Sequence, residues 1–258
     1  NETVAEHFFW LNMPFVYRVH ETPAHEKIET LNKFISTFGY VIKGDLESVH
    51  PKALQGIIEQ IHGKAEEKAI STIMLRSLKQ ARYSPECVGH FGLAAQYYSH
   101  FTSPIRRYPD LQIHRIIKEF LNGKISQKRQ DQLAQIVDYA STQSSERERE
   151  AELAERDVKD IYKARYMEDR VGEEFVGIVS SVTSFGMFIE LDNTVEGLVR
   201  LADMSDDYYI FDENTFTILG ERTKKLYRIG DVVKIKVEKV NVDFKEIDFK
   251  LLEKIEQN

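Results

Sequence analysis

The stretch FVGIVSSVTSFGMFIELDNTVEGLVRLADM, Phe175 to Met204, decides the fold of the last third of the chain. Apolar residues alternate by two in short runs: Phe175 to Val179, Gly186 to Leu191 and Glu196 to Val199. Period-two alternation over four to eight residues, broken by glycine and small polar residues, is the signature of half-buried strands. Two further runs, VVKIKVEKVNVD and EIDFKLLE, bring the count to five strands between Glu173 and Glu253. Five short strands with glycine at the bends predict a small closed β-barrel.

Upstream the period changes. Residues 1–170 read as mainly helical, with one or two short strands, and the turn at Val171-Gly172 marks the domain boundary, giving an α+β chain of two domains, 1–170 and 171–258. PFVYRVHE, from Pro14, is a candidate strand. HEKIETLNKFISTFG puts Ile28, Leu31, Phe34 and Ile35 on one helical face and closes on Gly39. Leu54, Ile57, Ile58 and Ile61 mark a second helix, Ile70, Ile73, Met74 and Leu78 a third, and Gln127 to Met167 a long charged one.

Composition excludes several classes. The chain is 42% hydrophobic and 30% charged, has a net charge of −7, and contains no apolar run long enough to span a bilayer, which predicts a cytoplasmic protein that does not bind membranes. Its single cysteine, Cys87, forms no intrachain disulfide and has no zinc-type neighbours. The surplus acid lies beyond residue 170, so any contact with nucleic acid depends on placed residues rather than on bulk attraction. Asp203, Asp206 and Asp207 crowd one loop, but without a supporting ligand pattern they read as solvated carboxylates rather than a metal site. The chain opens on Asn1, inside a helical pattern of Val4, Phe8 and Leu11, as a piece of a longer protein would.

Two places carry candidate chemistry. In HFTSPIRRYPDLQIHR, from His100, the Pro109-Asp110 pair and the apolar face of Leu111, Ile113, Ile117, Phe120 and Leu121 predict a helix beginning just after Tyr108. Thr102, Ser103, Arg106 and Arg107 precede that helix start, where free N–H groups and the dipole favour an anion and a guanidinium adds bidentate phosphate recognition. The same spacing equally fits arginines that cap or salt-bridge neighbouring helices. In the barrel, Phe185 and Phe188 flank a glycine bend, either as faces on which bases stack or as core. Arg200, Lys234 and Lys236 are nearby cations able to follow phosphates.

At these residues the sequence resembles known families. The pattern of Phe175 to Met204 is similar to an S1 RNA-binding domain, an oligonucleotide-binding (OB-fold) barrel. GHFGLAAQYYSHFTSPIRRYPDLQIHR, with PFVYRVHETP upstream and AERDVKDIYKARYM downstream, resembles the C-terminal half of the catalytic (RNB) domain of the ribonuclease II family. The resemblance implies processive 3′-to-5′ hydrolysis of single-stranded or structured RNA to nucleoside 5′-monophosphates with magnesium, RNA 3′ ends as partner, and ribosome-associated or degradosome-type assemblies. It further implies that Arg106 stabilises charge developing on phosphorus. Thr102, Ser103 and Arg107 would be phosphate contacts, Glu155 of AERD would lie near the RNA end, and Phe185 and Phe188 would contact RNA. The sequence departs from the family in one respect. The metal-binding spacing D-x5-D-x-D-D is absent, so the metal ligands are expected outside this chain, and an RNA-binding segment without hydrolytic activity of its own is the competing expectation.

Overall fold

The computed structural model describes residues 1–64, 66–123, 125–213 and 215–255. The elements in chain order are α1 (Glu2–Trp10), β1 (Tyr17–Val19), α2 (His25–Ser36), α3 (Pro51–Ile61), α4 (Glu67–Ser77), β2 (Arg82–Ser84), α5 (Tyr108–Leu121) and α6 (Gln127–Glu168). The strands β3 (Glu174–Thr183), β4 (Gly186–Leu191), β5 (Glu196–Arg200), β6 (Tyr209–Asp212), β7 (Thr217–Gly220), β8 (Leu226–Arg228), β9 (Val232–Asn241) and β10 (Glu246–Ile255) follow. The chain folds into two compact units, neither of them one continuous stretch. One comprises Asn1–Ile28, Lys43–Gly56 and Ser77–Leu153; the other comprises Glu29–Ile42, Ile57–Arg76 and the chain from Ala154 onward.

The first unit is built on a core of Phe8, Phe15, Val16, Tyr17, Val19, Tyr83, Ile113, Ile116, Leu133 and Val137, drawn from α1, β1, β2, α5 and α6. Phe8 and Phe15 stack with centroids 4.7 Å apart. The pattern of Pro14 to Glu21 contracts to the three residues of β1, which pairs antiparallel with β2. Helix α5 starts one residue earlier than its sequence pattern suggests. Its buried face is Ile113 and Ile116 with Gln112 and Asp110, whereas Leu121 at its end is 76% exposed. Ile117 and Phe120 pack against the core from its rim, and Leu121, turned by about 100° from Phe120, faces away from it.

In the second unit, α2 buries Leu31, Phe34 and Ile35 and is followed by Gly39 at φ +85°, the left-handed conformation expected of a glycine after a helix end. Helix α4 buries Ile70, Ile73 and Met74. The five expected strands close into a barrel in the order β10-β5-β4-β3-β9. β10 meets β5 in parallel at Asp248 and Leu198, and the remaining pairs are antiparallel. Alternation sets the inside: Met187, Ile189 and Leu191 of β4 and Val233, Ile235 and Val237 of β9 are buried, while Phe188, Glu190, Lys234 and Lys236 point outward.

Gly186 shows how tightly the barrel corner is closed. A Cβ there would lie 2.3 Å from the Val199 carbonyl oxygen and 2.9 Å from Leu198 Cδ1, and the backbone oxygen has nowhere to move. Gly186→Ala is therefore expected to cost about 1–3 kcal/mol of stability. A urea midpoint unchanged from wild type would contradict this packing.

Between β5 and β9 the chain adds a second sheet, β6-β7-β8, that the sequence pattern does not announce. Asp207 holds it together. Its carboxylate accepts the Thr223 amide and hydroxyl, each at 2.6 Å, the Arg222 amide at 3.1 Å and its neighbour Tyr208's amide at 2.7 Å. The Thr223 hydroxyl, ahead of the backbone donors, holds this carboxyl well below the usual carboxylate range. Because the folded-state pKa is depressed, the stabilisation is complete above the ordinary aspartate value of about 4 and is lost as the pH falls below it. An acid titration of Asp207→Asn is expected to show a smaller loss of melting temperature on acidification than wild type. Parallel curves would exclude this role.

Candidate nucleic-acid interface

The arginine turn lies in the first unit. Its entry is pinned from two sides: the Asn1 Oδ1 accepts the Phe101 amide at 3.1 Å, and His114 Nε2 donates to the Phe101 carbonyl at 2.8 Å while its ring stacks on Phe101 at 4.4 Å. The Ser103 carbonyl then accepts the Arg106 and Arg107 amides, at 3.3 and 3.1 Å, and makes the turn that delivers both arginines to the start of α5. The two guanidiniums diverge from there. Arg107 donates through Nη2 to Asp110 Oδ1 at 2.8 Å, and the same oxygen accepts the Ser103 amide at 2.8 Å. Arg106 is exposed, and among the described residues no side chain holds it. It faces a cavity of about 470 Å³ that Tyr83, Tyr108, Gln143, Ser144 and Arg147 also line.

Neutral aromatic groups back the turn. Arg18 sits 4.6 Å over the Tyr83 ring and donates to Glu148 at 2.5 Å, and the Tyr83 hydroxyl is hydrogen-bonded to His100 Nδ1 at 2.9 Å. Burial pushes the Tyr83 phenol up to about 12, and burial, with Arg107 and Arg18 adding to it, pushes His100 down to about 4. Both are uncharged near neutrality, so the mobile positive charge at this cavity is that of arginines. Thr102 is exposed on the turn. Ser103 is tied through its backbone to Asp110, which leaves its hydroxyl as the part able to meet a ligand.

The barrel offers a different kind of surface. Phe185 is 56% exposed and Phe188 is half-buried on the outward side of β4, their rings edge to face with centroids 6.1 Å apart. Neither is core. They line a cavity of about 430 Å³ together with Lys163, Arg200 and Lys245 and the carboxylates of Asp160, Glu196, Glu246 and Asp248. Arg200 pairs with Asp248 at 3.0 Å, and Lys245 pairs with Asp157 at 2.8 Å. Lys234, bound to Glu174 at 2.8 Å, and Lys236 are not among the cavity's lining residues. Glu155 lies exposed on α6, paired with Lys159 at 2.7 Å. Sequence reasoning passed over Lys163 and Lys245, and also Phe244, a 71% exposed aromatic next to Lys245 in the β9–β10 turn.

Among the described residues, no group of three or more His, Cys, Asp or Glu is placed to hold a metal ion. Two of the three crowded loop carboxylates are committed elsewhere: Asp206 accepts from Lys225 at 2.6 Å and from the Tyr209 hydroxyl at 3.0 Å, and Asp207 clasps the added sheet. These residues do not fit a magnesium centre. Cys87 has its thiol pKa raised by burial and contacts the Gln96 carbonyl at 3.6 Å. No described helix is long and apolar enough to cross a membrane.

Two family models match this chain, the RNB domain over residues 1–123 and the S1 RNA binding domain over residues 168–251. The two segments are thus similar to an RNB domain and to an S1 RNA binding domain. The segment that matches the RNB domain contains the arginine turn, and the one that matches the S1 domain contains the phenylalanine pair. Ribonuclease R 1 of Lactococcus lactis subsp. lactis is 47% identical over 98% of the chain and 31% of its own length. Ribonuclease R of Aquifex aeolicus is 44% identical over the whole chain and 36% of its own length. Among solved structures, the apo form of Mycoplasma genitalium RNase R matches with a TM-score of 0.90 and 28% identity, over 98% of this chain and 40% of that one. The same protein in complex with ribose methylated single-stranded RNA matches equally well. The chain thus spans about a third of the length of the curated relatives it matches.

Proposed function

We propose that this chain is the arginine-turn and S1 portion of a processive 3′-to-5′ exoribonuclease that hydrolyses RNA to nucleoside 5′-monophosphates in the cytoplasm. The observation that carries the reading is Arg106: an exposed, unpartnered guanidinium on a turn fixed from both sides, within a segment whose relatives are named Ribonuclease R. A preorganised fork of this kind stabilises charge growing on a phosphoryl oxygen without reorganising at the moment of reaction. The S1 domain supplies stacking faces and cations for a single strand, and the RNA-bound relative supports RNA as ligand. Magnesium, which the family implies, would be held by carboxylates outside the described residues.

A second reading, that these residues alone bind RNA without cleaving it, is favoured by the absence of a metal-holding cluster among the described residues. Incubating the chain with 3′-tailed single-stranded RNA and magnesium is expected to give salt-dependent binding and intact RNA. Release of 5′-mononucleotides, abolished by Arg106→Ala, would show that these residues hold a metal after all. Absence of binding would overturn the RNA reading itself.

A further inference from the structure

Asp110 is fully buried at the third residue of α5. One of its oxygens, Oδ1, accepts both the Ser103 amide and Arg107 Nη2, while Oδ2 and the Arg107 Nε are buried without partners. A buried carboxylate in this state depends on its cation, and the cation depends on it, because removal of either leaves a desolvated charge uncompensated. The carboxylate also sits against the positive end of α5, so the helix start already has its anion. Arg107 keeps only 21% of its side chain exposed, whereas the guanidinium of Arg106, one residue earlier, has no partner among the described residues.

We propose that Asp110 is a positioning residue that assigns the two adjacent guanidiniums: it retains Arg107 and the Ser103 amide inside the turn, so that Arg106 alone is presented to an RNA phosphate. Arg107 already lines the same cavity as Arg106. Freed from Asp110, and facing the helix N-terminus and nearby Arg18 with no carboxylate between, it would swing toward solvent and act as a second phosphate-binding cation. The inference rests on the RNA reading of this site.

The test measures how the affinity of the full chain for a single-stranded oligoribonucleotide depends on salt. Each phosphate neutralised adds about 0.7 to the slope of log K against log salt on a single strand. Arg106→Ala is expected to lower the slope by about that amount, and Arg107→Ala is expected to leave it unchanged. Asp110→Ala should steepen it by about 0.7, and the Asp110→Ala/Arg107→Ala double variant should return it to the wild-type value. Asp110→Asn keeps the Oδ1 acceptor but removes the compensating charge, and should steepen the slope in the same sense, by no more than Asp110→Ala does. A general loosening of the turn would not make the slope depend on Arg107 in one background and not in the other. The proposal fails if Arg107→Ala in the wild-type chain lowers the slope as Arg106→Ala does, or if Asp110→Ala shows the same slope with and without Arg107. Should Asp110→Ala lose its circular-dichroism signal, Asp110→Asn with and without Arg107→Ala takes its place, and equal slopes for that pair overturn the proposal. A wild-type chain with no salt-dependent binding would instead overturn the RNA reading, and this inference with it.

Discussion

Arg106→Ala, made in a protein of the relatives' full length that carries these residues, is expected to slow release of 5′-mononucleotides from single-stranded RNA by about 100- to 1,000-fold. Binding measured without turnover should weaken by only about tenfold, the order of one charge-assisted hydrogen bond. The split follows from what the side chain does. A partner-free guanidinium contributes modestly to a resting phosphodiester and strongly to the extra charge of the transition state. Arg106→Lys should recover part of the rate at most, since an ammonium lacks the planar fork. Loss of binding as large as the loss of rate would make Arg106 a general anchor rather than a stabiliser of developing charge.

The second large effect belongs to the S1 domain. Phe185→Ala and Phe188→Ala are each expected to weaken single-strand binding by about 1–3 kcal/mol, on the order of 5- to 150-fold, with little dependence on base sequence. Phe185 lies exposed in the turn before β4 and Phe188 on the outward side of β4, so their removal leaves the buried Met187, Ile189 and Leu191 in place, and the melting temperature should move little. Phe249→Ala is the contrasting control. That ring is 1% exposed, and its truncation should lower stability and affect RNA only through unfolding. Fluorescence anisotropy with a labelled oligoribonucleotide would separate the cases, and affinities for the two outward variants within twofold of wild type would rule out stacking on this face.

The parts of this architecture that were legible in the sequence are those in which local pattern and burial agree. Alternation along β4 and β9 indicated the barrel, without saying on which side Phe188 lies, and the four apolar positions of α2 are all buried. Other features depend on partners distant in sequence. The sheet of β6, β7 and β8 consists of strands of four, four and three residues, too short for alternation to register, and it is clasped by an aspartate whose partners lie 15 and 16 residues downstream. The compact units recruit 29–42 and 57–76 to the company of the C-terminal residues, a grouping that no local pattern announces. At the arginine turn the residue types were legible and their assignment was not. A signal was available, because an aspartate at the third position of a helix can reach back to the residues before it, and Asp110 does so to both Ser103 and Arg107.

The barrel closes where β10 meets β5 at Asp248 and Leu198, with the whole of β6, β7, β8 and β9 lying between them in the chain. A contact of such long sequence separation cannot form during synthesis until nearly the last strand has left the ribosome. Phe185 and Phe188, before and on β4, therefore wait on an event some sixty residues later, and a nascent chain shows its aromatic face before the fold that holds it exists. Ribosome stalling between β5 and β10 should leave an intermediate with an unpaired β5 edge, prone to associate with other chains, and completion of β10 should abolish that tendency in one step.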